Sequence, residues 1–166
     1  MKKWAIILSI LVLFLLNITQ LLNAQQLRSQ IEEQDYIVKA ENANQDFIEK
    51  FFSYSSTKER YENIKPLTTE EGFRATLPSG IEIPEDNGSE LSVTSRMDKL
   101  KPYIYPSIDK NKVDFMNKFE VSTIFNKIKT TQEIIIYTQV VYDQISGWKV
   151  NDVEFVSSLG NGYEQY

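Results

Sequence analysis

The period of apolar positions changes along the chain, and each change marks a new element. Ala5–Leu16 carries no charge, and Asn17, Thr19 and Gln20 dilute the run that continues to Leu22. As a helix rising 1.5 Å per residue, residues 4–22 span about 28 Å, close to the ~30 Å hydrocarbon core of a bilayer. The pattern predicts a transmembrane anchor over 4–22 and a cytoplasmic end at 1–3. Lys2 and Lys3 mark the cytoplasmic side and Trp4 belongs at headgroup level, so these three are the expected membrane interface. A cleaved signal peptide is the competing reading, since the charge-free core also fits an h-region. Cleavage after Ala24 would put Leu22 at the minus-three position, where a small residue is normal. The helical pattern also runs without a breaker to at least Lys50. Both readings place the rest of the chain outside the cytoplasm, and the uncleaved anchor fits better.

Residues 23–36 read as a mostly polar helical stalk with Leu27 and Ile31 on one stripe. Weak self-association and a plain solvated spacer both suit that composition. Aromatic density rises from Tyr36, and Phe47, Ile48, Phe51 and Phe52 recur at helical spacing. The folded domain is assigned to 37–158. Ser56-Thr57-Lys58-Glu59 and Thr68-Thr69-Glu70-Glu71 have the capping-box order, and Pro66 and Pro78 follow as stops. Three helices are expected, at about 37–53, 57–65 and 69–77. Lys58, Glu59 and Arg60 read as one solvated charged face. The acidic loop 79–90 lacks the EF-hand spacing and also reads as solvated.

Beyond Lys110 the period becomes two. Val113, Phe115, Phe119, Val121, Thr123 and Phe125 share one face, with Asp114, Lys118, Glu120, Ser122 and Asn126 on the other. Residues 133–143 are apolar on both faces, as in a central strand. Residues 148–158 alternate but slip near Asn151–Asp152, which predicts a bulge. Leu91–Val93 and Tyr103–Tyr105 read as short strands, the second confined to a sheet edge by Pro102 and Pro106. Residues 159–166 read as a loose tail. Helices followed by three long antiparallel strands give an α+β fold in which a bent sheet wraps the helices.

Composition narrows the chemistry. The chain has no cysteine and no histidine, which removes disulfides, thiol nucleophiles, cysteine-ligated metals and the usual general base. Neither GxxxxGK[ST] nor GxGxxG occurs, so phosphate-cradling loops are missing. No cofactor, metal or catalytic residue is expected. Every one of the 23 acidic residues follows Ile31; with Lys2 and Lys3 set aside, 16 basic residues remain, leaving a net charge of −7. Phosphate backbones and anionic lipid would repel such a domain, so direct nucleic-acid binding is not expected.

The block FIEKFFSYSSTKERYENIKPLTTEEGFRATLP (47–78), with long strands closing in GWKVNDVEFV (147–156), resembles extracytoplasmic proteins with the nuclear-transport-factor-like roll. More narrowly, it resembles the VirB-eight-like subunits of type IV secretion systems in Gram-positive conjugative elements. That resemblance implies a non-enzymatic scaffold in the cell membrane, single-pass, with its roll domain extracytoplasmic. It also implies contacts with other membrane subunits of the complex and possible homo-oligomers. Because the same roll hosts isomerases and dehydratases, an acid–base pair in its cone is the alternative to test. Asp114, Tyr137, Asp152, Glu154, Tyr103 and Tyr105 are the candidates; without histidine, a carboxylate acid would need a strongly raised pKa. Tyr103 and Tyr105 at the expected edge, and Trp148 at the start of the last strand, are the expected partner contacts.

Overall fold

From Lys2 to Phe52 the sequence offers neither proline nor glycine, and the computed structural model forms one helix there, α1 (Lys2–Phe52). The structure describes residues 2–78, 93–105, 107, 109–125 and 128–160; the side chains of 2–13, 15, 29, 32, 33 and 157–160 are outside that description. Two compact units result, Met1–Val38 and Lys39–Tyr166. Among the described residues no helix is long and apolar enough to cross a membrane. The apolar half of the expected anchor, with Lys2, Lys3 and Trp4, lies among the side chains not described.

In the second unit, α2 (Thr57–Ile64) starts as its capping box predicts. Ser56 accepts from the Glu59 amide at 3.1 Å, while the Glu59 carboxylate accepts from the Ser55 amide at 2.9 Å. That bond holds the Glu59 carboxyl below the ordinary glutamate pKa. A 3-10 turn through Pro66 (Lys65–Leu67) follows, then α3 (Glu70–Thr76). Here the expected cap moves by one residue: Thr69, not Thr68, accepts from the Gly72 amide at 3.0 Å. Thr68 is committed elsewhere, bridging in parallel to Val150 with its hydroxyl donating to the Ile64 carbonyl. The Thr69 hydroxyl donates to Asn151 at 2.8 Å and its amide to the Val150 carbonyl at 2.9 Å. These bonds fasten the start of α3 to the sheet.

Four antiparallel strands make that sheet in sequence order: β1 (Thr94–Tyr105), β2 (Lys112–Phe125), β3 (Ile128–Asp143) and β4 (Gly147–Gly160). Four long strands replace the three expected. The predicted piece Tyr103–Tyr105 is the end of β1, whereas Leu91 and the acidic loop fall outside the described residues. Pro102 is tolerated because β1 is an edge strand. The predicted bulge in the last strand is present, as a register shift opposite Gln139 and Val140. Two further shifts lie between Asp98 and Lys101 and between Ile135 and Ile136; such bulges bend a sheet. At the first of them Lys99 takes φ +59°, a left-handed conformation that costs a side-chain-bearing residue energy.

One face of the sheet packs on the helices. Phe47 and Phe51 stack at 5.4 Å between ring centroids, Phe52 sits edge-on to Phe51, and Phe52 lies 4.7 Å from Phe119 of β2. Each fully buried side chain of this size contributes about 1.5–3 kcal/mol.

Candidate interaction face

The alternative reading places an acid–base pair in the cone between helices and sheet, and that cone is where the core side chains lie. Phe47, Phe51, Phe115, Phe119, Ile136 and Val140 fill it, each with 1% or less of its surface exposed. At its centre lies a polar cluster that the periodicity did not predict. Asn44 donates to Asn117 at 2.7 Å, Asn117 donates to Thr138 at 2.9 Å, and Thr138 donates back to Asn44 at 2.6 Å. All three side chains are fully buried. The ring is closed on itself, so these amides and this hydroxyl already satisfy one another. Its signal in the sequence is a gap: Asn117 interrupts the inward series Val113, Phe115, Phe119, Val121.

The candidate acids lie on the other face of the sheet. Register pairs Tyr103 with Met116, Met116 with Tyr137 and Tyr137 with Glu154; a second row runs Tyr105, Asp114, Gln139, Asp152. These rows alternate with the buried positions and point away from the helices. Asp114 accepts from the Tyr137 hydroxyl at 2.8 Å and from the Gln139 amide at 3.1 Å. Partial burial and the Asp114 hydrogen bond push the Tyr137 pKa up to about 12, which keeps the phenol protonated at any physiological pH. The group is a hydrogen-bonded platform. Among the described residues no cluster of metal-ligating side chains occurs.

Tyr103 and Tyr105 stand on this outer face at the sheet edge, 54% and 52% exposed. Trp148 does not join them. It begins β4, the opposite edge, pairs with Tyr142, and shares the parity of buried Val150 on the helix-facing side. Its ring is half-buried with its centroid 5.3 Å from that of Tyr142. The three expected contact residues therefore occupy two surfaces.

One expectation in the helices is overturned. Lys58 and Glu59 are exposed, but Arg60 is not part of a solvated face. Its guanidinium lies 3.7 Å from the centre of the Phe51 ring, with Tyr54 and Tyr61 at 5.2 and 5.5 Å. The electron-rich ring faces supply the attraction that water would otherwise give.

Comparison with known proteins adds a family. The model of the YddI NTF2-like domain matches residues 37–157. The uncharacterized protein YddI of Bacillus subtilis strain 168 is 34% identical over 138 residues, which cover 82% of this chain and 77% of that protein. Among solved structures, an IcmL-like type IV secretion system protein from Legionella pneumophila superposes with a TM-score of 0.48 at 8% identity, covering 74% of this chain and 93% of that one. A periplasmic fragment of TraM gives 0.47 at 9% identity, covering 70% and 94%.

Proposed function

We propose that this chain, which belongs to the YddI NTF2-like domain family, is a membrane-anchored assembly subunit of a conjugative type IV secretion channel, working through protein–protein contacts rather than catalysis. The observation that carries this reading is the filled cone. Where a roll enzyme keeps its pocket, this domain holds packed phenylalanines and the closed Asn44–Asn117–Thr138 ring. Its candidate acids stand on the outer face of the sheet, beside exposed Tyr103 and Tyr105. Exposed tyrosines on an edge strand suit a partner, since they offer apolar area and a hydrogen-bonding tip.

The apolar run over 4–22 is the proposed anchor, with Lys2, Lys3 and Trp4 at the cytoplasmic interface and the roll domain outside. Tethering confines the domain to two dimensions and raises its effective concentration, so weak contacts suffice for assembly. The link to a Gram-positive secretion channel rests on the resemblance carried by residues 47–78 and 147–156. It is tested in the native host with a photocrosslinking amino acid at position 103 or 105. The intact chain should sediment with membranes, be cleaved by protease added outside the cell membrane, and crosslink to other membrane proteins. Recovery of the intact chain from the cytosol, or a membrane-bound chain that crosslinks to nothing, would overturn the proposal.

A further inference from the structure

Ala24, Leu27, Ile31, Gln34 and Val38 recur along α1 at alternating spacings of three and four, the repeat of a left-handed coiled coil. All five side chains are exposed, Leu27, Ile31 and Val38 by 58%, 56% and 52%. Within the unit Met1–Val38 the described residues form this one helix, so nothing else in that unit covers the stripe.

We propose that the stripe is the seam of a parallel, in-register, two-stranded coiled coil with a second copy of this chain. Residue choice favours two strands: Ile31 and Val38 fall at a positions and Leu27 at d, the arrangement β-branched a and leucine d residues prefer in parallel dimers. Gln34 argues for an identical partner. At a d position it meets its own copy, and two carboxamides, each with donor and acceptor, satisfy one another; an apolar surface would leave it unpaired. The flanks agree, because in a parallel pair Gln30 meets Asp35 and Asn23 meets Arg28, with no like charges opposed.

Two heptads are too short to associate strongly in free solution. The inference therefore rests on the membrane-anchored reading, in which a shared bilayer aligns both copies and supplies the effective concentration.

The chain contains no cysteine, so single cysteines report contact directly. Full-length variants with cysteine at 27, 31, 34 or 38, and at 25, 26 or 36, are oxidised in native membranes. Disulfide-linked dimer should be at least about fivefold more abundant at the first set, following the a/d period. Leu27→Asp with Ile31→Asp should abolish that peak while leaving the chain in the membrane fraction. Amine-reactive crosslinking in the same membranes should give a ladder that ends at two copies. A flat profile, a maximum off the seam, or three or more copies overturns the proposal. A flat profile in a membrane-bound chain defeats this inference alone, whereas a chain found in the soluble fraction defeats the anchor.

Discussion

Asn44 on α1 and Asn117 in the middle of β2 exchange side-chain amides, Asn44 donating at 2.7 Å and Asn117 reaching back at 3.4 Å, with neither side chain exposed. Thr138 closes the ring from β3. Three elements are thereby pinned in rotation and register by groups whose side-chain bonds, among the described residues, run only to one another. Removing one member leaves the other two buried and short of bonds, at a cost of about 1–3 kcal/mol for each unsatisfied group. Asn44→Ala is therefore expected to lower stability by about 2–4 kcal/mol, measured by thermal unfolding of the solubilised full chain. Replacing all three together by Leu, Leu and Val should cost less than the summed single changes, because no orphaned polar group remains. A loss below about 0.5 kcal/mol for Asn44→Ala would show the ring to be energetically idle.

Arg60 yields an ordering rather than a magnitude. Its Nε is buried without a hydrogen-bond partner, and among the described residues no carboxylate forms an ion pair with it. Burial holds its pKa below the usual arginine value, with Tyr54 and Tyr61 opposing the shift. A flat guanidinium tolerates this because it stacks on Phe51 and is weakly hydrated, whereas a compact ammonium does neither. Arg60→Lys is expected to destabilise by about 1–2 kcal/mol and Arg60→Met by less. Denaturant unfolding of the two variants checks the order, and a lysine variant more stable than the methionine one would refute the stacking argument.

How far the sequence could be read depended on whether one period dominated each stretch. β2 was legible because Val113, Phe115, Phe119 and Val121 alternate with polar residues, and both short helices were legible from hydroxyl–glutamate caps followed by prolines. β1 was not. As an edge strand it turns only Ser95 and Met97 inward before the bulge at Lys99 shifts its phase, so charges on both sides hide the period. Arg60 was misread because Lys58 and Glu59 beside it are solvated, and sequence neighbours on a helix point in different directions. The outer face was half legible: alternation assigned Asp114 away from the core, yet nothing local in sequence joins it to Tyr137 across two strands.

Gly72 is set against the sheet backbone. A Cβ there would fall inside contact distance of the Val150 carbonyl oxygen and within 3.0 Å of Asn151 Cα. Both neighbours are backbone and cannot swing aside. They also carry the bonds from Thr69, so relief of the clash would break the fastening of α3 to β4. Gly72→Ala is expected to cost about 2–4 kcal/mol despite alanine's better helix propensity, which alone would stabilise by about 1 kcal/mol. A neutral or stabilising result in thermal unfolding would mean that α3 sits farther from β4 than described.

Tyr137 predicts a pH dependence with a definite sign. Its pKa is about 12, against 10.0 for the free phenol, raised first by burial and then by the hydrogen bond to Asp114. The folded chain therefore holds this proton more tightly than the unfolded chain does. Stability from this group is fully present below pH 10 and is lost as pH rises through about 12, because the unfolded state sheds the proton first. Absorbance titration of tyrosinate should show a late step at about pH 12, and Tyr137→Phe should remove it. The same variant should unfold less steeply with pH between 10 and 12 than the parent. Asp114→Asn should bring the late step to lower pH without abolishing it, since burial, the larger cause, remains. A titration unchanged by Tyr137→Phe would place the phenol in open water and dismantle the platform on the outer face.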